Sequence, residues 1–382
     1  MTRHDPQGLA DVIRQFDEDD GYLDFASLGP PGRAVLDERR ELSEVVGRAR
    51  FGAIDPLYAA TDRFESAVAD ATGFSRGNVV FQPSTSSGMM HTMFGLTGQV
   101  AVSRGEYPST TTAAARASES LAAMTPLWFD PAHGRVTPGA LRDILTPDCR
   151  AVVVSVVDYR TGYLADLEGI RQIVGDRLLI VDAVQGFGVV DAPWTVADIV
   201  VSGGQKWLRA GWGTGFMALS DRAAETLVPV FSGFDAAHAS ALEPDAVADA
   251  PPPPRRGAGA FMTGMPDPLA AAALATSLEL TARVGVAAIN SAVAERVSQL
   301  IDAADEVGLE VVSPRATTER AGIVVLAPPE HRLTALTAAL FNHGVTATAR
   351  GGTVRLSAHA STSAVTLDLV RDALGDYAAT PE

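Results

Sequence analysis

The chain has 382 residues, of which 47% are hydrophobic and 20% charged, and this length and composition predict two packed domains rather than one. Its formal net charge of -16 argues against nucleic acid or an anionic membrane as a partner, because both would be repelled. The single cysteine, Cys149, excludes a disulfide framework and a thiolate zinc site, and we expect no bound metal.

Hydropathy along the chain predicts a protein that neither spans nor enters a membrane. No stretch approaches the roughly 20 apolar residues that cross a bilayer. The first residues, MTRHDPQGLADV, lack the basic and apolar regions of a secretory signal. We therefore expect a cytoplasmic protein.

Short apolar runs alternate with amphipathic stretches through the first two thirds of the chain. This alternation is typical of a buried, mostly parallel sheet covered by helices, and so predicts an α/β fold. The four clearest runs are GNVVFQ at 77–82, AVVVSVV at 151–157, RLLIVDAV at 177–184 and ADIVVSGG at 197–204.

A proline-rich segment, residues 246–259, interrupts this pattern with four consecutive prolines at 251–254. Such a run fits neither a helix nor a central strand, so we predict a domain junction or a lid there. An alanine-rich helical pattern follows over 269–305 and leads into a smaller αβ unit with apolar runs at 322–328 and 353–359.

The first polar cluster, FQPSTSSG, places Ser84, Thr85, Ser86 and Gly88 between a predicted strand and the start of a helix. Free amides and hydroxyl groups at such a point suit a phosphate group. The same sequence is also typical of an ordinary helix N-cap. Its interpretation therefore depends on the other candidate residues.

Lysine usage singles out one position. Of the 30 basic residues, 29 are arginine and only Lys206 is lysine. A coding bias accounts for arginine wherever a surface cation is enough, but it does not account for the one lysine kept. A neutral primary amine can add to an aldehyde and a guanidinium cannot, so Lys206 is a candidate nucleophile.

A carboxylate is predicted to reach the same edge of the sheet as this lysine. Asp182 ends the run at 177–182, and the next strand leads into the glycine-rich GGQKW that contains Lys206. Open α/β sheets bind ligands at these strand ends. A lysine that bonds an aldehyde and an acid that keeps a pyridine nitrogen protonated are what pyridoxal 5'-phosphate (PLP) requires.

A third candidate, Arg355, lies in the predicted strand TVRLSAH. A planar guanidinium there suits the α-carboxylate of an amino acid, with a structural salt bridge as the competing interpretation. Together the three residues predict a PLP enzyme acting on a small-molecule amino-acid substrate, with Lys206 and Asp182 as the catalytic pair.

These motifs resemble those of the class V aminotransferase family of fold-type I PLP enzymes, which includes cysteine desulfurases, kynureninases, isopenicillin N epimerase-like proteins and C–S lyases. The resemblance covers nearly the whole chain and follows the family order. Its elements are YLDFASLGP, STSSG, GEYPS, SVVDYRTG, VDAVQGFG, GGQKW, FMTGMPDP and VRLSAH.

The resemblance implies a large domain with a mostly parallel seven-stranded sheet and a smaller C-terminal α/β domain. On this basis we expect an N-terminal segment at 1–30 that contributes to the active site, a PLP-binding domain at 31–260 and a small domain at 261–382. The proline-rich segment would then lie at their junction.

The resemblance also implies a role for each candidate. Lys206 would hold the cofactor as a Schiff base and Asp182 would pair with its pyridine nitrogen, while Gln185 and Asp158 would lie near its 3'-oxygen. The phosphate would be held by Thr85, Ser86 and Gln205, with Ser84 in the same cofactor-binding cradle.

Four positions depart from the family pattern, and one of them is Gln205, which stands where many relatives have a histidine. Tyr107 stands where relatives commonly have a histidine stacked on the cofactor ring, and a buried core tyrosine is the alternative. Gly203 replaces a phosphate-binding serine, for which Ser202 could compensate. Gly264 and Met265 replace a Gly-Thr pair that reaches the phosphate of the neighbouring subunit, which implies a homodimer with shared sites and leaves Met265 only its backbone amide.

The reaction is less determined than the cofactor. A persulfide-forming desulfurase needs a cysteine between the Gly-Thr region and the C-terminal arginine, and this chain has none there. We favour a lyase that cleaves a bond at Cβ, either by C–S elimination from a cysteine conjugate or by kynureninase-like hydrolysis. An aminotransferase, an epimerase and a non-catalytic PLP-fold binding protein are the alternatives.

Three aromatic residues near the candidates have open roles. Trp207 and Trp212 flank the lysine loop and could line the substrate pocket or belong to the core. His359, near Arg355, is a further pocket candidate.

Overall fold

A computed structural model describes residues 6–48, 50–237 and 252–380. Its helices are α1 (Pro6–Ile13), α2 (Arg33–Arg48), α3 (Asp55–Thr72), α4 (Thr85–Gly95), α5 (Pro108–Leu121), α6 (Pro138–Ile144), α7 (Leu167–Val174), α8 (Asp221–Thr226), α9 (Pro268–Val284), α10 (Val286–Glu306), α11 (Leu333–Asn342) and α12 (Ala364–Ala379). Its strands are β1 (Val79–Phe81), β2 (Gly98–Ser103), β3 (Met124–Phe129), β4 (Cys149–Ser155), β5 (Leu178–Asp182), β6 (Ile199–Gly203), β7 (Gly215–Leu219), β8 (Glu310–Val311), β9 (Ile323–Ala327), β10 (Thr348–Arg350) and β11 (Thr353–Ser357).

Seven strands form the large sheet in the order β1-β7-β6-β5-β4-β2-β3. Only β7 runs antiparallel to its neighbours, and the five strands from β6 to β3 are parallel. The mostly parallel seven-stranded sheet is therefore confirmed. All five residues of β5 and of β6 are buried, as expected when helices cover both faces of a sheet.

The carboxyl ends of the central strands converge at one edge of this sheet. Ser155 of β4 pairs in register with Asp182 of β5, and Asp182 pairs with Val201 of β6, two residues before that strand ends. The β6 strand then leads into the bend that contains Lys206. Parallel pairing thus brings the polar residues that follow three separate strands into one region.

A second, four-stranded antiparallel sheet has the order β10-β11-β9-β8. Helices α10 and α11 pack against it. The N-terminal segment adds two bridges to it, from Tyr22 to Thr346 and from Asp24 to Ser357. The start of the chain is thereby attached to strands near its end.

The alanine-rich pattern predicted over 269–305 forms two helices rather than one. Gly285, with a φ of 83°, separates α9 from α10, and the two helices meet at an 83° bend. Helix α9 packs against α2 and α3, whereas α10 packs against the small sheet. No single helix among the described ranges is long and apolar enough to cross a membrane, and this bent pair meets the requirement only when its two members are taken together.

The predicted proline-rich junction, residues 246–259, lies partly outside the described residues, which resume at 252. Beyond that point Pro254 bridges to Ala237, and the turn over Gly257–Phe261 places Phe261 in the core under the large sheet. The domain limits expected at 30 and 260 stay predictions.

Candidate active site

Lys206 lies in the bend after β6, at the carboxyl edge of the large sheet. Its side chain is buried, and its carbonyl oxygen accepts a 3.0 Å hydrogen bond from the Arg209 amide, which closes a tight turn. Burial lowers the pKa of the amine to about 8, partly offset by Asp182 and Asp24. A larger fraction of this amine is therefore neutral, and nucleophilic, near neutral pH than for an exposed lysine.

Asp182, the last residue of β5, offers a free acceptor in the interior. Its Oδ1 accepts a 3.1 Å hydrogen bond from the Val184 amide, whereas its Oδ2 is buried and has no partner among the described residues. Burial raises the pKa of this carboxyl group to about 6, and Lys206 acts against that rise. A buried acceptor without a donor is costly, and it fits a cationic N–H group supplied by a ligand.

The predicted phosphate cradle comes together at the start of α4. Ser84 caps the helix by accepting a hydrogen bond from the Ser87 amide, and the Oγ1 of Thr85 is buried without a partner among the described residues. A Cβ added to Gly203 would lie 2.3 Å from Oε1 of Gln205 and 3.0 Å from Oγ1 of Thr85. The glycine thus lets these two side chains approach the same point.

Backbone geometry makes this point suitable for an anion. The first amides of a helix, here those of Thr85 and Ser86, have no partner within the helix, and the helix dipole adds positive potential. Ser86 is exposed and Thr85 is buried. The start of α4 can therefore hold a phosphate between free amides, the Thr85 hydroxyl and the Gln205 amide.

Tyr107 faces the lysine. The Lys206 Nζ lies 5.3 Å from the centre of the Tyr107 ring, and this ring packs edge to face on Tyr159 at 5.0 Å. Tyr107 is 36% exposed, so the alternative of a buried core tyrosine is wrong. Its ring forms a wall of the space above Lys206.

Gln185 joins the N-terminal segment to the lysine loop. Its Nε2 donates a 3.0 Å hydrogen bond to the carbonyl oxygen of Ala26, and its Oε1 accepts a 2.8 Å bond from Nε1 of Trp207. One amide hydrogen is left for a ligand. The predicted contact of Gln185 with a cofactor oxygen stays a prediction.

Trp207 and His359 both belong to a buried aromatic cluster. Each stacks with Phe25, at 6.4 Å and 5.2 Å respectively. Burial lowers the pKa of His359 to about 3, which keeps its ring neutral. Of the two interpretations of Trp207, the core role is the one observed.

Asp158 organises the loop after β4. Its Oδ1 accepts hydrogen bonds from the amides of Arg160 and Thr161, at 2.9 and 2.8 Å, and its Oδ2 accepts one from the Arg160 guanidinium at 3.1 Å. Both carboxylate oxygens are thus engaged. A contact with a cofactor oxygen would have to compete with these bonds, and it stays a prediction.

Arg355 lies at the edge of the same space, on β11. Its Nη1 donates to the carbonyl oxygen of Tyr159 at 3.2 Å, and its Nη2 donates to the Ser27 hydroxyl at 2.8 Å and lies 3.4 Å from Asp24. Its Nε is buried without a partner among the described residues. Arg355 is near enough to lower the pKa of Lys206.

The N-terminal segment holds the lysine loop from the outside. The amide of Gly29 donates a 2.8 Å hydrogen bond to the Gln205 carbonyl oxygen, and a Cβ at Gly29 would lie 1.9 Å from the Lys206 carbonyl oxygen. Arg209, buried and with a φ of 59°, forms a salt bridge with Glu18. The segment at 1–30 is thus in contact with the active-site loop.

Two candidates from the sequence, Met265 and Trp212, are exposed, whereas Cys149, which was not a candidate, is buried. Met265 is 46% exposed, and its contact with the phosphate of a neighbouring subunit stays a prediction. Trp212 is exposed, and Cys149 is buried at the opposite end of β4.

The class V aminotransferase family model matches residues 28–377. This chain belongs to the class V aminotransferase family. It is therefore a PLP-dependent enzyme of fold type I, as the pairing of Lys206 with Asp182 predicted. No curated protein matches its sequence with significance.

Solved structures of this fold superpose over nearly the whole chain. An apo cysteine desulfurase from Thermococcus onnurineus NA1 has a TM-score of 0.82 at 19% identity, with 96% of both chains covered. The cystine C–S lyase C-DES, in complex with cysteine persulfide, has a TM-score of 0.81 at 17% identity, with 93% of this chain and 97% of that chain covered. The cysteine desulfurase CsdA from Escherichia coli has a TM-score of 0.79 at 17% identity, covering 97% and 98%. At these identities the likeness establishes the fold.

The residues of this class V member fit PLP. A buried amine of lowered pKa suits the aldehyde, the unpartnered Oδ2 of Asp182 suits the protonated pyridine nitrogen, and the cradle around Thr85 suits the phosphate. Of these groups, Oδ2 of Asp182 and Oγ1 of Thr85 are buried without a partner among the described residues. The cofactor would supply a partner for both of them.

Glu106 was missed by the sequence analysis, although it lies next to Tyr107. Its carboxylate accepts hydrogen bonds from the amide and hydroxyl group of Ser155. Burial raises its pKa to about 7, with Asp182 and Asp158 adding to the rise. The motif GEYPS contains this residue, but nothing in the sequence indicates that its carboxyl group turns inward.

Proposed function

We propose that this enzyme is a C–S β-lyase that converts a cysteine conjugate into pyruvate, ammonium and a thiol. The observation that carries the proposal is the position of Cys149. Its thiol is buried at the start of β4, donates to the Ala151 carbonyl oxygen at 3.3 Å, and has a pKa raised by burial. The strand from Cys149 to Ser155 spans about 20 Å, so this thiol lies far from Lys206.

A desulfurase that transfers sulfur to its own cysteine needs an accessible thiolate near the substrate. Cys149 is the only cysteine in the chain and meets neither condition. Elimination needs no protein thiol, because the sulfur departs with the leaving group.

The cofactor, when bound, withdraws the electron pair released at Cα of the substrate. The protein groups then have distinct tasks. Arg355 binds the α-carboxylate, for which its Nε is available, and Lys206 takes the proton from Cα, as its pKa near 8 allows. Asp182 provides a negative charge beside the pyridine nitrogen. Burial alone disfavours this charge, and a cationic partner would stabilise it.

The stoichiometry of elimination requires only water as a co-reactant. The Cα–H and Cβ–S bonds break, the Cα–Cβ bond gains a second electron pair, and the sulfur leaves as a thiol after taking up a proton, which the protonated Lys206 can supply. The released enamine tautomerises to an imine, and hydrolysis of this imine gives pyruvate and ammonium. No oxidant or reductant takes part.

The decisive test is to supply the PLP-loaded enzyme with cystine, S-substituted cysteines, cysteine and kynurenine. We expect pyruvate, ammonium and thiol in equal amounts from cysteine conjugates. Formation of alanine from cysteine would instead indicate a desulfurase, alanine from kynurenine would indicate a kynureninase, and a keto acid with conversion of PLP to its amine form would indicate a transaminase.

We also propose a homodimer with shared active sites, in which the Met265 amide reaches the cofactor phosphate of the other subunit. The support is the exposure of Met265 together with two large apolar side chains, Trp212 and Phe234, which are 69% and 71% exposed. Such side chains are expected to be covered by a partner.

A further inference from the structure

A cavity of about 400 Å³ lies beside Arg355, between the small sheet and the loop at 159–161. Strand pairing explains which side chains face it. Thr348 pairs with Arg355 and Arg350 pairs with Thr353 across the β10–β11 hairpin, so all four lie on one face. The opposite face, which carries Val354, packs in the core under the helices.

Apolar and cationic side chains both line this cavity. Val312 and Val325 are apolar, and we call the three arginines, Arg160, Arg350 and Arg355, its cationic rim. None of the described residues that line it is a carboxylate, although the whole chain carries a net charge of -16. The described lining is therefore positively charged, in contrast to the net negative charge of the chain.

The positive charge on the rim is only partly neutralised by the protein. Arg160 binds Asp158, and Arg355 lies 3.4 Å from Asp24. Within the described ranges Arg350 has no carboxylate at ion-pair distance, and it lies on the strand next to Arg355. Arg350 and Arg355 are diagonal neighbours on one face and repel each other, and an anion between them would offset that repulsion.

The guanidinium of Arg160 occupies space that two glycines leave free. A Cβ at Gly105 would lie 2.3 Å from its Nη2, and one at Gly134 would lie 2.9 Å from the same atom. The guanidinium thus packs directly on two backbone segments. The cationic rim is a built feature of the cavity.

The cavity begins where the catalytic space ends. Tyr159 lines the cavity and packs on Tyr107 at 5.0 Å, and Tyr107 lies 5.3 Å from Nζ of Lys206. Arg355 borders both spaces. A substrate whose α-carboxylate binds Arg355 would therefore have its Cβ substituent at the mouth of the cavity.

We infer that this cavity binds the leaving group of the substrate, and that this leaving group is an aliphatic thiol ending in an anionic group. The aliphatic part would lie on Val312 and Val325, and the terminal carboxylate would pair with Arg350. This inference rests on the proposed C–S lyase function and specifies its substrate class. A volume of about 400 Å³ accommodates a substituent of several heavy atoms.

The test uses two nearly isosteric substrates, S-(2-carboxyethyl)-L-cysteine and S-(2-carbamoylethyl)-L-cysteine, with the PLP-loaded enzyme. We expect kcat/KM to favour the carboxylate by about tenfold or more, because the charge-assisted bond to Arg350 is lost in the amide. In Arg350→Gln this ratio should fall to about one. Arg371→Gln, which alters an exposed arginine on α12, should retain the ratio.

A binding measurement separates the possible failures. Calorimetry with glutarate should show weaker binding to Arg350→Gln than to Arg371→Gln. If Arg350→Gln weakens glutarate binding but leaves the substrate ratio intact, the cavity is a separate anion site and the inference is overturned. If simple cysteine derivatives yield pyruvate with no preference for the carboxylate, the inference fails while the lyase function stands. If no cysteine derivative yields pyruvate, the proposed function itself fails.

Discussion

The Ser155 amide donates a 3.1 Å hydrogen bond to the Glu106 carboxylate, and Ser155 itself pairs in register with Asp182. Two buried carboxyl groups of raised pKa thus lie near the same pair of strands. Each costs stability when it ionises, because the charged form is poorly solvated in the interior. A cofactor bound at Asp182 as proposed would offset this cost there and not at Glu106.

Glu106→Gln should change the pH dependence of stability of the cofactor-free enzyme. The folded state raises the pKa of Glu106 from 4.5 to about 7, so it binds more protons than the unfolded state in this range, and stability falls as pH rises through it. Relative to the glutamine variant, the wild type should lose about 3 kcal/mol between pH 4.5 and pH 7.

Denaturant unfolding at a series of pH values measures this difference. The difference between the two proteins is needed because buried His91 and His359, with pKa values lowered to about 4 and about 3, make stability rise with pH over part of the same range. A pH-independent difference would show that Glu106 does not titrate in this window.

Lys206→Ala and Lys206→Arg should both abolish the visible absorbance of the cofactor bound to lysine. Arginine keeps the charge but cannot bond an aldehyde. Elimination activity should fall by about 10³-fold or more in each variant, since the group that moves the α-proton is lost. Persistence of the absorbance band in either variant would remove Lys206 from cofactor attachment.

Arg355→Ala should raise KM for a cysteine conjugate much more than for the corresponding decarboxylated amine. Loss of a charge-assisted pair with the α-carboxylate is expected to lower kcat/KM by about 10- to 100-fold. Arg371→Ala serves as the control, since that side chain is exposed on α12. Equal effects on both substrates would limit Arg355 to a structural role with Asp24.

Gly29→Ala should disturb the lysine loop. Its Cβ would lie 1.9 Å from the Lys206 carbonyl oxygen, so the backbone must move. We expect a loss of about 1–3 kcal/mol of stability together with weaker PLP binding. Gly47→Ala, in α2 with nothing within 4 Å of the added atom, should instead stabilise the protein by about 0.5–1 kcal/mol. Unfolding curves measure the stability, and PLP titrations measure the cofactor affinity. Values equal to those of the wild type in Gly29→Ala would show that the close approach of Gly29 to Lys206 is unimportant.

Met265→Pro should weaken PLP binding in the partner subunit, because proline lacks the amide that is proposed to reach the phosphate. Met265→Ala keeps the amide and is the matched control. Mixing Lys206→Ala subunits with Met265→Pro subunits tests the arrangement. If the sites are shared, both changes fall in one site of a mixed dimer and the other site is intact, so mixing should restore activity. The shared site would be contradicted if mixing left the activity unchanged and sedimentation showed the enzyme to be a monomer.

The sequence predicted those features of the site that depend on residues adjacent in the chain and on the regular geometry of parallel strands. Lys206 stood out by its rarity, and Asp182 by its place at a strand end, because parallel strands bring such ends together. The start of α4 was recognised from its cap residues. These features depend on rules that hold for a short stretch of chain.

Contacts between distant segments were not predicted. Nothing near Asp24 indicates that it meets Arg355, and nothing near Glu18 indicates that it pairs with Arg209. Glu106 was overlooked because a charged residue in a loop is usually exposed. These contacts depend on the packing of the whole chain, for which a single sequence offers no local signal.

The attachment of the N-terminal segment to the small sheet has a consequence for biosynthesis. The Gly21 amide bonds to the Thr366 hydroxyl across 345 positions, and the Ala26 amide bonds to the Ser357 hydroxyl across 331. Residues 21–26 are therefore synthesised more than 300 residues before the groups they bond to. Because Gly29 and Gln185 connect this segment to the lysine loop, the nascent chain cannot complete its cofactor site before residues 357–366 have been synthesised.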